Sequence, residues 1–196
     1  MMTTPLATDA AMSASSGPDA RRAVIEHASV REVLMGAQDN LTNVLAVMLG
    51  VSIGSGRADL VALAGLSAAV AEAVSMGGVL YSSTRAEGAL EARTRAEDGE
   101  EPAEQGANLA PIQSGVVTFV AALLGGLVPL APFAVLPLTA AVPVSLAISI
   151  GALFVLGSAI GRVSGSVWWR DGLRLLLVAG VAAFAAALVG ANFAVD

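Results

Sequence analysis

The sequence predicts an all-α membrane protein with five transmembrane helices per protomer, the N-terminus cytoplasmic and the C-terminus outside. Three observations carry that reading. Of 196 residues, 56% are hydrophobic and the mean hydropathy is +0.76, whereas only 13% are charged; soluble domains carry about 25% charged residues. Five apolar runs approach the ~20 residues that cross ~30 Å of hydrocarbon. The arginines are also sorted. Arg21, Arg22 and Arg31 precede the first run, Arg85, Arg93 and Arg95 lie between the second and third, and Arg162, Arg170 and Arg174 lie between the fourth and fifth. Arg57 alone falls on the other side, and basic loops mark the cytoplasmic face.

The chain divides into residues 1–30, a disordered Ala/Ser/Thr-rich tail with a short interfacial helix over Ala20–Arg31, and a five-helix transmembrane domain over 31–194. The first span runs Val33–Ile53 and ends in Gly54-Ser55-Gly56. The second runs Leu60–Tyr81, followed by an acidic cytoplasmic loop over 85–110. The third runs Ile112–Leu130. Pro132, Pro137 and Pro143 make Ala131–Ala141 a poor helix interior, so the turn is placed there. The fourth and fifth spans run Val142–Ile160 and Leu173–Phe193. Trp168, Trp169 and Tyr81 fall where an interfacial aromatic belt belongs. Gly50-x-x-x-Gly54 and Gly161-x-x-x-Gly165 have the small-xxx-small spacing of close helix packing, a weak signal in an Ala/Gly-rich chain. No basic segment leads directly into an apolar one at the N-terminus, so a cleavable signal peptide is not expected. Arginine is the sole basic residue apart from one histidine, which suits a GC-rich bacterial genome and hence a plasma (inner) membrane location.

Two carboxylates interrupt these spans. Asp39 lies in the first with Gln38, Asn40 and Asn43; Glu72 lies in the second with Met76 one turn on. A charged residue at mid-membrane costs roughly 2.5–3.5 kcal/mol on insertion scales and usually marks an ion path or proton relay. Asp39 and Asn43 are i and i+4 and share a helix face, as do Glu72 and Met76. A short Gly/Ser loop makes the two spans antiparallel neighbours, so Asp39, Glu72 and Met76 can meet at similar depth. Carboxylate and amide oxygens suit hard or borderline divalent cations, and a thioether adds affinity for a softer one. Asp39, Glu72, Asn43 and Met76 are therefore candidate ligands for Fe²⁺ or Mn²⁺ as a transported ion, with no resident cofactor. Metal binding displaces protons from such carboxyls, which is the basis of metal/proton antiport. The plainer reading is a buried hydrogen-bond network that holds helices together, with Met76 as packing.

Other classes fit less well. Cysteine is absent, so thiolate metal sites and disulfides are excluded. No nucleophile or hydrolase motif suggests an enzyme, and no basic patch suggests nucleic acid. A proton-coupled exporter of another small cation remains an alternative, but a bulky organic cation wants aromatic walls, and no Phe, Tyr or Trp lies between Val33 and Leu80. A non-transporting assembly module is a further alternative. His27, the lone histidine, reads as a surface residue. Glu87 and Glu91 are i and i+4 on an extension of the second helix, with Asp98, Glu100, Glu101 and Glu104 following. They are candidates for a cytoplasmic metal-collecting patch, against the plainer reading of a solvated linker.

Gly36-Ala37-Gln38-Asp39-Asn40-Leu41 and Ala71-Glu72-Ala73-Val74-Ser75-Met76-Gly77 resemble the vacuolar iron transporter family, as do Tyr81-Ser82-Ser83, Leu124–Leu130, Phe154–Gly161 and Gly172–Leu177. The resemblance is to its small bacterial and archaeal members, which lack a large cytosolic metal-binding domain. It implies a five-helix protomer that forms a homodimer with the ion path at the two-fold interface. It also implies export of cytosolic Fe²⁺, often Mn²⁺, against protons. Asp39 and Met76 match the family's metal-binding aspartate and methionine; a second-helix glutamate is associated with proton coupling, which some relatives place two turns before the methionine and this chain, as Glu72, one turn before it. The chain departs from many relatives in having Asn40 after the aspartate and Ala68 two turns before Met76.

Overall fold

The computed structural model describes residues 18–98 and 110–194. Among them there are five α-helices and no strand: α1 (Pro18–Ser55), α2 (Ala58–Glu97), α3 (Ala110–Leu130), α4 (Leu138–Val163) and α5 (Trp168–Asn192), with a 3-10 turn at Ala131–Ala134 between α3 and α4. The tail before Pro18 and the acids Glu100, Glu101 and Glu104 lie outside the described residues, as does the side chain of His27.

The helices come in two lengths. The 21, 26 and 25 residues of α3, α4 and α5 extend about 32–39 Å at ~1.5 Å per residue, close to one bilayer crossing. The 38 residues of α1 and 40 of α2 reach about 57–60 Å. A tight turn joins them at Gly56, whose φ of 62° only glycine adopts freely, so both overshoot at the same end of the bundle. The segment 20–31 is therefore the first part of α1 rather than a separate helix, and the acidic stretch is helical as far as Glu97. Ala, Arg and Glu recur in both extensions and favour helix.

The turn between α3 and α4 is shorter than the prolines suggest. Pro137 caps α4, and Pro143 sits inside it, where its missing N–H leaves only the Thr139 carbonyl unpaired within the helix. The Ser145 hydroxyl donates to the Pro129 carbonyl at 2.7 Å and satisfies one of the free acceptors at the end of α3. Gly165 has φ 68° and follows α4, while the Ser166 N–H reaches back to the Gly161 carbonyl. This is a Schellman-type cap, so Gly165 serves chain reversal, while Gly161 packs against Trp168 and Asp171 at the start of α5. Gly50 and Gly54 do pack: a methyl on either would press on the backbone carbonyl of Ala186 or Gly190 in α5.

α1 packs against every other helix. One core cluster joins it to α4 and α5 through Leu41, Leu153, Leu175 and Ala179; a second joins it to α2 through Val44, Met48, Val61 and Ala69. The outside is apolar instead. Leu63, Leu124, Val155, Leu177, Val181 and Phe184 are all more than 60% exposed, a surface that water would not tolerate over such an extent. Four helices (α2, α3 with its 3-10 turn, α4 and α5) are long and apolar enough to cross a membrane. The chain is an integral membrane protein by this measure. α1 is not among the four because its middle carries Gln38, Asp39, Asn40 and Asn43.

Candidate functional site

α1 and α2 run antiparallel in a register visible at four levels. Gly65 sits beneath Met48, where a methyl would stand 2.6 Å from the Met48 Cγ. The Asn40 Nδ2 donates to the Ala69 carbonyl at 3.0 Å. The Glu72 side chain meets those of Asp39 and Asn43. Met76 lies over Gly36, where a methyl would stand 3.5 Å from the Met76 Cε and 3.1 Å from the Thr118 Cγ2. Small residues at positions 36, 65, 69, 73 and 77 let the two backbones approach closely.

The four candidate ligands are thus placed in two steps. Glu72, Asp39 and Asn43 come together. Met76 sits one turn nearer the α1 N-terminus, at Gly36, which Thr118 of α3 also approaches. Asp39 and Asn43 are exposed in the protomer, on one stripe with Met35 and Val47; Glu72 and Met76 are partly buried at its margin. The opposite side of α1, with Asn40, Leu41, Val44 and Met48, is sealed. An acidic pair on an open face within the bundle's span cannot rest against lipid tails. Two carboxylates that face one another repel unless a proton or a cation lies between them. The arrangement can therefore hold either, with the Asn43 amide as a further oxygen donor. Among the described residues no three His, Cys, Asp or Glu side chains form a metal cluster within one protomer.

Glu87 and Glu91 are exposed on the α2 extension. They stand about 22 Å or more along the helix from Glu72 at ~1.5 Å per residue, so they belong to a separate surface. Trp168 and Trp169 begin α5, with the Arg162 and Arg170 guanidinium carbons 5.3 and 5.4 Å from their ring centres. Phe154 meets Trp168 edge-on at 6.4 Å.

Asn40 acquires a role that its place in a polar run concealed. It is fully buried, and its amide donates both to Ala69 on α2 and to the Ala122 carbonyl on α3 at 2.8 Å. It ties three helices directly beside Asp39 and fixes the rotation at which Asp39 faces Glu72. Gly126 opposes it on α3 and leaves the space it occupies. The detectable signal was a polar side chain in helical phase with Val44 and Met48, on the face away from Asp39 and Asn43.

The chain matches the model of the VIT family over residues 30–108 and 87–191. The matched residues run through all five helices and include Asp39, Asn43, Glu72 and Met76. No curated protein sequence matches the chain.

Proposed function

The chain belongs to the VIT (vacuolar iron transporter) family, a transporter family that moves metal ions across membranes, and on that premise we propose that it exports Fe²⁺ or Mn²⁺ from the cytosol in exchange for protons. The observation that carries this reading is the meeting of Glu72 with Asp39 and Asn43 on an otherwise unpartnered face of α1 and α2. A divalent ion entering the pair neutralises two carboxylates and displaces their protons; protons arriving from the other side release the ion. Met76, one turn away at Gly36, offers a thioether along the same track and favours a transition metal over Mg²⁺ or Ca²⁺.

Two carboxyls and an amide leave a first-row metal short of ligands. A second copy of the chain, related by a two-fold axis along the α1 face, doubles the donors and covers the exposed Asp39. The same orientation that puts nine arginines in the cytoplasm sets the Met76 end of the track toward the cytosol, with the C-terminus outside. In a bacterium this is the plasma membrane. The test is flux in proteoliposomes with a metal panel, with and without a pH gradient. Fe²⁺ or Mn²⁺ uptake should be speeded by an acidic lumen, and the lumen should alkalinise in step as protons leave. Failure of both metals to move under a pH gradient would sink the reading.

A further inference from the structure

A groove of about 540 Å³ opens between α1, α4 and α5 on the side of α1 away from Glu72. Its rim is polar, with Arg31 and Gln38 from α1 and Arg174 from α5; its wall is apolar, with Met35, Ile160 and Val178. Arg31 and Arg174 are exposed, and among the described residues neither has a carboxylate within 4.0 Å. The acid in the groove, Asp171, is engaged by the Ser166 hydroxyl. Two guanidinium groups therefore face one already occupied carboxylate, and the groove keeps a net positive charge. Its depth follows the bilayer: Trp168 and Trp169 mark the interface at the start of α5, Arg174 lies about 9 Å further in, and Val178 about 6 Å beyond that at ~1.5 Å per residue. Val178 is 58% exposed, so the apolar wall is open to the bilayer on its α5 side.

We propose that this groove binds one anionic phospholipid, its phosphate held between Arg31 and Arg174 and an acyl chain laid against Met35, Ile160 and Val178. Guanidinium groups bind phosphate oxygens with paired donors, and Gln38 supplies a neutral donor beside them. A free phosphate would use the rim and leave the apolar wall bare, which is why a lipid is the occupant argued here. The site needs the membrane embedding of the chain but no transported ion, so its fate is separate from that of the transport reading.

The test uses full-length protein, delipidated in detergent and titrated with phosphatidylglycerol or phosphatidylcholine, with bound lipid counted by native mass spectrometry. One phosphatidylglycerol per protomer should be retained well above phosphatidylcholine. The Arg31→Gln/Arg174→Gln variant should lose about tenfold or more in that affinity, as two interfacial arginines warrant. Arg31→Lys/Arg174→Lys should keep most of it, and Arg57→Gln, at the far end, all of it. If the double Gln variant aggregates, Arg174→Gln alone against Arg174→Lys carries the comparison. Equal retention of the two lipids overturns the proposal, as does equal binding by wild type and the Gln variants. Inorganic phosphate that binds as tightly as the lipid overturns it in favour of a free-anion site. Dimer loss in the Gln variants with unchanged lipid selectivity overturns it in favour of contact with a second copy.

Discussion

A methyl group on Gly126 would stand 2.8 Å from the Asn40 Nδ2, so the two residues fit only as a pair. Asn40 reaches the Ala69 and Ala122 carbonyls because α3 offers no side chain at that point. Gly126→Ala should therefore destabilise the protein by about 1–3 kcal/mol through overpacking. Asn40→Ala should also destabilise, by loss of two hydrogen bonds and a cavity. The double variant should lose less than the sum, with a coupling of about 0.5–3 kcal/mol. Thermal unfolding of the four proteins in one detergent measures the cycle.

Asp39→Asn keeps the shape and removes a charge. Asp39 is exposed in the protomer and makes no packing contact that the amide cannot make, so the melting temperature should be unchanged or higher. Metal flux in proteoliposomes should fall to that of empty vesicles. A variant that transports normally would remove Asp39 from the ion path.

Glu72→Gln tests the pair from the other side. It leaves Asp39 as the one carboxyl of the pair and removes half of the proton-exchange capacity. Residual metal flux should lose its dependence on the pH gradient, read by varying the gradient at fixed metal concentration.

Met76→Leu is close to volume-conserving and should cost under about 1.5 kcal/mol in stability. Its expected effect is on selectivity: Fe²⁺ flux should drop more than Mn²⁺ flux, since the lost donor is the softer one. Equal loss of both metals would mark Met76 as packing against Gly36 and Thr118.

Glycines of opposite kind should respond oppositely. Gly190 in α5 presses on the Gly50 backbone of α1, whereas Gly180, in the same helix, has open space where a Cβ would stand. Gly190→Ala should separate α1 from α5 and lower the melting temperature. Gly180→Ala should stabilise by roughly 0.4–1 kcal/mol through the unfolded chain.

The meeting of Glu72 with Asp39 and Asn43 was legible in the sequence because helical period and a short connecting loop suffice to place them. Met76 was less so. Its level follows from the register, but its packing on Gly36 and Thr118 depends on α3, whose approach is set by Gly77 and Gly115 and leaves no local signal. Asn40 was hidden for a related reason: five polar residues among positions 38–43 surround the helix, and only the neighbours decide that Asn40 and Thr42 turn inward. The extension of α2 is legible at Glu87 and Glu91, but the continuity of residues 20–31 with α1 is not, because hydropathy finds where a span ends, not where a helix does. Gly165 carried the spacing of a packing motif, yet its φ places it in a cap.

Among the five described helices, the one that touches all the others, α1, also precedes them in the chain and is the least apolar. Its core partners Leu153, Leu175 and Ala179 belong to α4 and α5, and Gly190, which closes on Gly50, stands near the end of α5. During biogenesis α1 must therefore be held by the insertion machinery, or shielded by α2 and α3 alone, until the last helices arrive. A chain truncated after α3 should expose a polar first helix to the bilayer and be cleared by membrane quality control. Among the described helices, closure of the bundle waits on α5, which packs back on the earlier α1 through Gly50 and Gly190.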